Sequence, residues 1–262
     1  AATPIVSGGS PMVPGNFSAL AESVRAGVVN IQVSKKVKNA GLERFQGNPF
    51  GQGNPFGEFF GPFGGFGNNA PERKQQGVGS GFIMSQDGYI LTNNHVVEGA
   101  DEIKVKLAGG KEFDGKIVGR DPKTDLALLK IVADSDLQPL KLGNSDDLKV
   151  GNWVVAVGSP YGLGGSATAG IVSAYGREVG STFVDYIQID AAINRGNSGG
   201  PTFDAQGRVI GVNTAIFSPT GGSVGIGFAV PAYIAADITR RLIADGKIER
   251  GYIGATIQNF TP

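Results

Sequence analysis

The 262-residue sequence contains no cysteine. Disulfides, thiolate metal sites and cysteine nucleophiles are thereby excluded together, while the compartment stays open because secreted proteins can lack disulfides. Histidine occurs once, as His95. Catalytic zinc usually takes two or three imidazoles, so no metal is expected, and no cofactor. There is no net charge, since Lys+Arg and Asp+Glu are both 23. A nucleic-acid partner would show as a basic stripe, and a polybasic membrane contact as a basic cluster; the sequence argues for neither. No run of 18 apolar residues exists, so no integral membrane helix is expected. The first residues, Ala1-Ala2-Thr3-Pro4, lack the charged and apolar regions of a signal peptide, consistent with a mature N-terminus after signal removal or with an arbitrary boundary.

Glycine, by contrast, is abundant, at 43 residues. Much of it falls in turns between short apolar runs, which favours an all-β fold. Residues 1–16 are Pro, Gly and Ser rich. Ser18 is placed to cap a short helix through about Ala26, with Glu22 and Arg25 facing solvent. Val28–Val37 alternates as a first strand, so 1–37 reads as an N-terminal segment plus that strand. Residues 38–77 differ in kind. Seven Phe and eight Gly lie between Phe45 and Gly67, which reads as a flexible low-complexity insertion. Exposed phenylalanines are also an association liability, so docking on another subunit or in a groove is the rival reading.

From Val78 to about residue 248 the chain reads as a core of short strands. These are Gly81–Met84, Tyr89–Thr92, a hairpin of Ile103–Leu107 and Phe113–Val118, Leu126–Val132, Trp153–Gly158, Ile187–Ile189, Val209–Asn213 and Ile226–Val230. Pro231 then opens a helix to about Asp245, with Ile234, Ile238, Leu242 and Ile243 as its apolar stripe. Residues 249–262 read as a linker and the start of a further, truncated domain.

The chemistry concentrates in Gly196-Asn197-Ser198-Gly199-Gly200-Pro201. A serine between glycines suits a tight turn that backbone or ligand can approach closely. The N–H groups of Gly196 and Ser198 are placed to converge on a developing oxyanion, where each such donor lowers a barrier by roughly 3–4 kcal/mol. A serine hydroxyl is a weak nucleophile and needs a base. With one histidine in the chain, that base is His95, at the end of an apolar strand. Its orienting acid is sought among Asp101, Asp114, Asp121, Asp125, Asp134 and Asp136. Asp125 stands out because it immediately precedes Leu126-Ala127-Leu128-Leu129, where a carboxylate is held rigidly at the mouth of a buried strand. The order His, Asp, Ser is the chymotrypsin order, and no Gly-x-Ser-x-Gly elbow surrounds Ser198.

Several segments together resemble the HtrA (high-temperature-requirement) serine proteases. They are Thr92-Asn93-Asn94-His95-Val96-Val97, Asp125–Lys130, Val157-Gly158-Ser159-Pro160, Asn194–Pro201 and Gly225–Pro231. The likeness runs almost continuously from 78 to about 250 and is nearest to the bacterial periplasmic Deg-type members. It implies a chymotrypsin-like double β-barrel, two six-stranded antiparallel barrels with short helices at either end and the site between them. It implies a periplasmic endopeptidase of protein quality control and stress response that degrades unfolded proteins, with chaperone activity. Homo-trimers and higher assemblies, and PDZ domains beyond about Gly251, are also implied. The resemblance places Ile193, Ile216 and Ile226 around the primary specificity pocket, which suits small or medium aliphatic substrate residues with permissive cleavage.

Two departures from the digestive enzymes matter. Asn197 stands where those enzymes carry an aspartate that pairs with a newly cut N-terminus, so activation is expected from loop ordering instead. Ala192, six residues before Ser198, offers no counter-charge to a basic substrate residue. A binding or chaperone role with a resting or inactive site is the alternative reading. A structural role for residues 10–30 and 38–77 is a third, with Phe17 and the loop phenylalanines as candidate trimer contacts. On that reading, deleting residues 38–77 changes the assembled mass measured by light scattering. An unchanged mass would remove the loop from the oligomer contact.

Overall fold

Alternation along the strands determines how the molecule packs. In Trp153–Gly158, Val154 and Ala156 face one apolar cluster while Val155 and Val157 face another. In Leu126–Lys130, Ala127 and Leu129 go one way and Leu126 and Leu128 the other. A strand buried on both faces reads as a continuous apolar run rather than as alternating apolar and polar residues. The computed structural model describes residues 15–38, 72–134, 136–159, 165–177, 183–194, 196–218 and 222–251. The phenylalanine-rich insertion and the chain after Gly251 lie outside them.

The first lobe contains β1 (Val28–Lys38), β2 (Glu72–Ile83), β3 (Tyr89–Asn93), β4 (Glu102–Lys106), β5 (Glu112–Asp114), β6 (Lys116–Asp121) and β7 (Leu126–Lys130), with the helical turn α2 (Asn94–Val97) after β3. Its sheet order is β5-β4-β1-β2-β3-β7-β6, all antiparallel. The two edge strands are one stretch of chain bent at Gly115: Asp114 pairs with Lys104 on β4, and Lys116 pairs with Lys130 on β7. The expected six-stranded barrel is thus met by a sheet that returns on itself through a bend. A Cβ at Gly115 would lie 3.0 Å from Ile103 and 3.1 Å from Val105, so a larger residue at the bend would press on these two side chains.

The second lobe contains β8 (Trp153–Gly158), β9 (Ser166–Arg177), β10 (Tyr186–Ile189), β11 (Pro201–Asp204), β12 (Val209–Ile216) and β13 (Gly227–Pro231). These six strands close as β10-β13-β12-β11-β8-β9. Helix α1 (Ser18–Arg25) precedes the lobes and α3 (Ala232–Asp245) follows them. The chain is therefore a chymotrypsin-like all-β double barrel. One core fills each lobe, and the third, with Phe82, Leu91, Leu126 and Leu128 from the first lobe and Val155, Val157, Phe203 and Val212 from the second, joins them.

Several expectations shift. Strand β2 begins at Glu72, so its first turns of chain pair with β1 inside the stretch read as insertion. Strands β9 and β11 carry small and polar residues and gave no run to read. Phe17, not Ser18, takes the N-cap position, and Asn16 accepts both the Ser18 N–H and its hydroxyl. The Phe17 ring lies 5.7 Å from the Trp153 ring of its own chain. On α3, Ile238 and Leu242 are buried but Ile243 is exposed. Among the described residues no helix is long and apolar enough to cross a membrane.

The C-terminal end of α3 docks on β6 at Gly119, where a Cβ would collide with the Gly246 carbonyl. Gly246 ends the helix in the left-handed conformation, with φ 69°, as a helix terminator commonly does. The following chain carries Arg250 onto Asp121, with guanidinium-to-carboxylate distances of 2.7 and 2.5 Å. Thr124 Oγ1 donates to the same carboxylate at 2.6 Å. Burial would raise the Asp121 pKa, but the bonds from Arg250 and Thr124 outweigh it and hold the carboxyl below its usual value.

Two outcomes are expected. Arg250→Ala leaves a buried carboxylate unpaired and destabilises the fold by about 3 kcal/mol in neutral denaturant titrations. Because the folded-state pKa of Asp121 is lowered, its contribution is complete above the unfolded value near ~4 and is lost as pH falls through the folded value. Melting temperature therefore falls more steeply below pH ~4 in the wild type than in Asp121→Asn. Equal slopes would contradict this account of the pair.

Candidate active site

The candidate site lies where the two lobes meet. Asp125 opens β7 with φ 55°, the one non-glycine residue with positive φ among those described. Aspartate tolerates this conformation better than most residues because its short side chain can bond locally. Here the whole residue is engaged. Its carbonyl accepts the Asn93 side-chain amide at 2.9 Å and the Asn94 N–H at 3.0 Å. Its Oδ1 accepts the His95 N–H at 3.0 Å, and its Oδ2 lies 2.5 Å from His95 Nδ1. The carboxylate thus bonds both the main chain and the Nδ1 side of the ring of the histidine. The side chains of His95 and Asp125 are 14% and 13% exposed, so the pair is mostly desolvated. His95 sits on α2 rather than on the strand end itself, two residues past β3.

The nucleophile turn comes from the second lobe. Asn197 N–H donates to the Asn194 carbonyl and Gly200 N–H to the Asn197 carbonyl, each at 3.0 Å. Gly199 N–H donates to the Asn213 carbonyl at 2.7 Å, tying the turn to β12. Gly196 and Gly199 have φ 96° and 83°, values that L side chains rarely adopt. Gly199 is constrained in space as well, because a Cβ would overlap the Ser80 carbonyl and Thr92 Oγ1. Asn197 is 4% exposed, and Gly158 gives its side chain room: a Cβ there would meet Asn197 Oδ1. Ser198 is 1% exposed, and its Oγ makes no hydrogen bond among the described residues.

The His and Ser elements approach through Gly79. A Cβ there would lie 2.6 Å from Val96 and 3.3 Å from the Ser198 carbonyl. Polar bonds cross the same seam. Asn93 Nδ2 donates to Thr214 Oγ1 at 3.1 Å. Ser80 N–H donates to the Ser198 carbonyl at 2.8 Å, and Ser80 Oγ donates to the Gly196 carbonyl at 2.5 Å. Neither Ser80 nor Asn93 is visible to sequence reasoning as a site residue. The only signal for Ser80 is a small polar residue inside the glycine-rich Gly77–Gly81 stretch of a strand. Tyr186 was also missed. Burial, and then the Asp125 charge, push its phenol well above the usual range, so it stays neutral beside the carboxylate.

Of the three isoleucines expected at the specificity pocket, Ile193 and Ile216 share the second lobe's core and are 0% and 4% exposed. Ile226 is partly buried against the cluster between the lobes. Two bonds hold this region: Phe217 N–H to the Ile226 carbonyl at 3.0 Å, and Ser223 N–H to Asn194 Oδ1 at 3.2 Å. The structure therefore brings Ile193 and Ile216 together and leaves Ile226 in the neighbouring cluster. Among the described residues no group of three His, Cys, Asp or Glu could hold a metal ion.

Comparisons with known proteins agree with this geometry. The model of the trypsin-like peptidase domain matches residues 79–212. A probable periplasmic serine endoprotease DegP-like of Brucella suis is 46% identical over 275 residues, covering 96% of this chain and 54% of its own length. A protein of the same description from Pseudomonas fulva is 48% identical over 260 residues, covering 93% and 52%. The chain thus spans about half the length of these curated relatives. Among solved structures, an HtrA-type protease AlgW with decapeptide superposes with a TM-score of 0.77 at 39% identity, covering 94% of this chain and 73% of that one. AlgW with tripeptide gives 0.76 at 38% identity, covering 94% and 70%. The chain belongs to the trypsin-like peptidase domain family, on its HtrA-type serine protease branch.

Proposed function

We propose that the chain is the protease portion of a periplasmic serine endopeptidase that cleaves unfolded proteins by acyl transfer. Ser198 attacks the peptide carbonyl and His95 takes its proton. His95 then returns that proton to the leaving amine, and water repeats the sequence to release the acyl group. Asp125 orients the imidazole and stabilises its charged form. The N–H groups of Gly196 and Ser198 receive the oxyanion. The observation that carries this reading is the double grip of Asp125 on His95 at the lobe junction, 3.0 Å to its N–H and 2.5 Å to its Nδ1, beside the turn that bears Ser198.

Ile193, Ile216 and Ile226 are proposed to favour small or medium aliphatic residues. The apolar character of their surroundings supports this, as does the absence of a carboxylate at Ala192. Homo-trimers, chaperone activity and the periplasm belong to the same proposal, the last supported by the description of the curated relatives.

A resting ground state is a second reading, favoured by one observation: Ser198 Oγ is buried without a hydrogen bond among the described residues. With neutral Asn197 in place of an activating carboxylate, ordering of the neighbouring loops on substrate binding would complete the site.

Ser198→Ala is expected to abolish casein hydrolysis, and unchanged hydrolysis in a clean preparation would sink the proposal. Asp125→Asn keeps the shape but presents the wrong tautomer, so kcat falls by on the order of 10⁴-fold. If the ground state is resting, turnover of a short chromogenic peptide rises when an unfolded protein is added. A flat response would leave the site constitutively formed.

A further inference from the structure

We infer that Ser80, a residue of the first lobe, is a positioning residue that holds the Gly196–Ser198 turn of the second lobe in register with His95. This rests on Ser198 as nucleophile and extends that reading across the lobe junction. Ser80 lies on β2 and is 0% exposed. Its hydroxyl has two partners, the Gly196 carbonyl at 2.5 Å and the Ser159 N–H at 2.8 Å. A carbonyl can only accept and an amide N–H can only donate, so the hydroxyl proton points at Gly196. Ser159 is itself anchored from behind, its carbonyl accepting Asn30 Nδ2 at 2.6 Å. The main chain of Ser80 completes the set. Its N–H donates to the Ser198 carbonyl at 2.8 Å, and its carbonyl accepts Thr92 Oγ1 at 2.7 Å.

One residue therefore bonds the groups on both sides of Asn197 and the strand that leads to His95. The need for it follows from glycine. Gly196 sits at φ 96° and lacks the Cβ that would restrict its peptide planes. Its carbonyl shares a peptide plane with the Asn197 N–H, which donates to the Asn194 carbonyl at 3.0 Å, and a turn of that plane displaces the Ser198 N–H that follows. The Ser80 hydroxyl fixes that carbonyl from a different lobe, on a strand anchored along its length to β1. The bond is made to the enzyme alone. What it preorganises is a donor that matters only when charge develops on the substrate oxygen, so its loss acts on the transition state rather than on ground-state binding.

Steady-state kinetics on an unfolded substrate test this. Ser80→Ala is expected to lower kcat by at least about tenfold while KM stays within about twofold, a split that removal of uniform binding does not give. Ser80→Cys restores a weak donor of similar size and recovers part of kcat; it also serves as the test if the alanine variant fails to fold. Ile131→Val, a truncation in the first lobe's own core, is the control for lost stability and leaves kcat near wild type. A Ser80→Ala kcat within about twofold of wild type, or an equal fall in Ile131→Val, overturns the inference. Ser198→Ala is run in the same assay. Turnover that survives it overturns the nucleophile assignment and the Ser80 inference together, whereas its loss alongside a normal Ser80→Ala overturns the positioning role alone.

Discussion

The site depends on the conformation of one residue. Asp125 is held in a left-handed turn that costs about 1–2 kcal/mol for an L-residue. Four hydrogen bonds from three consecutive residues offset that cost: the Asn93 amide, the Asn94 N–H, the His95 N–H and the His95 ring. The pairing of Asn93 with Leu126 across β3 and β7 brings the two segments together. The same turn that directs the carboxylate at the imidazole also starts the buried run Leu126–Leu129. The residue that opens β7 therefore also orients the His95 ring.

The proposed mechanism needs the second lobe to bring Ser198 to His95, and two kinds of interaction hold the lobes together. The apolar core between the lobes supplies most of the attraction but little direction, since hydrophobic burial scales with area. Direction comes from the buried polar seam of Ser80, Thr92, Asn93 and Thr214. Such a network is specific because each member left unpaired in a dry interior costs more than the bond contributes when made. Glycines at 79, 158, 199 and 200 let backbones approach closely enough for the seam to form.

What the sequence disclosed follows from this division. His95 stood out because the chain has one histidine and Ser198 because glycines surround it, whereas Asp125 stood out among several carboxylates partly because a buried strand begins beside it and partly through the family resemblance. Strands of the second lobe were legible from apolar runs, although β9 and β11 were not, being small and polar; the six-stranded barrel was expected from the family resemblance. The seam was illegible. Ser80 is one serine among many, and its partners in the second lobe lie 79 to 118 positions away. The tie of Arg250 to Asp121 spans 129 positions and carries no local pattern. The closure of the first lobe through a bend at Gly115 was hidden for another reason: one stretch of chain serves two edges. The three isoleucines expected at the pocket looked alike in sequence, yet Ile193 and Ile216 join the second lobe's core and Ile226 the cluster between the lobes, a division that no local pattern carries.

In the proposed mechanism a serine from one lobe is activated by a histidine that the other lobe holds in place. Reaction with a fluorophosphonate, followed by peptide mass mapping, tests it most directly. The account predicts a single adduct on Ser198 that forms in the wild type and fails to form in His95→Ala. An adduct on another serine, or equal labelling of Ser198 without His95, would contradict it.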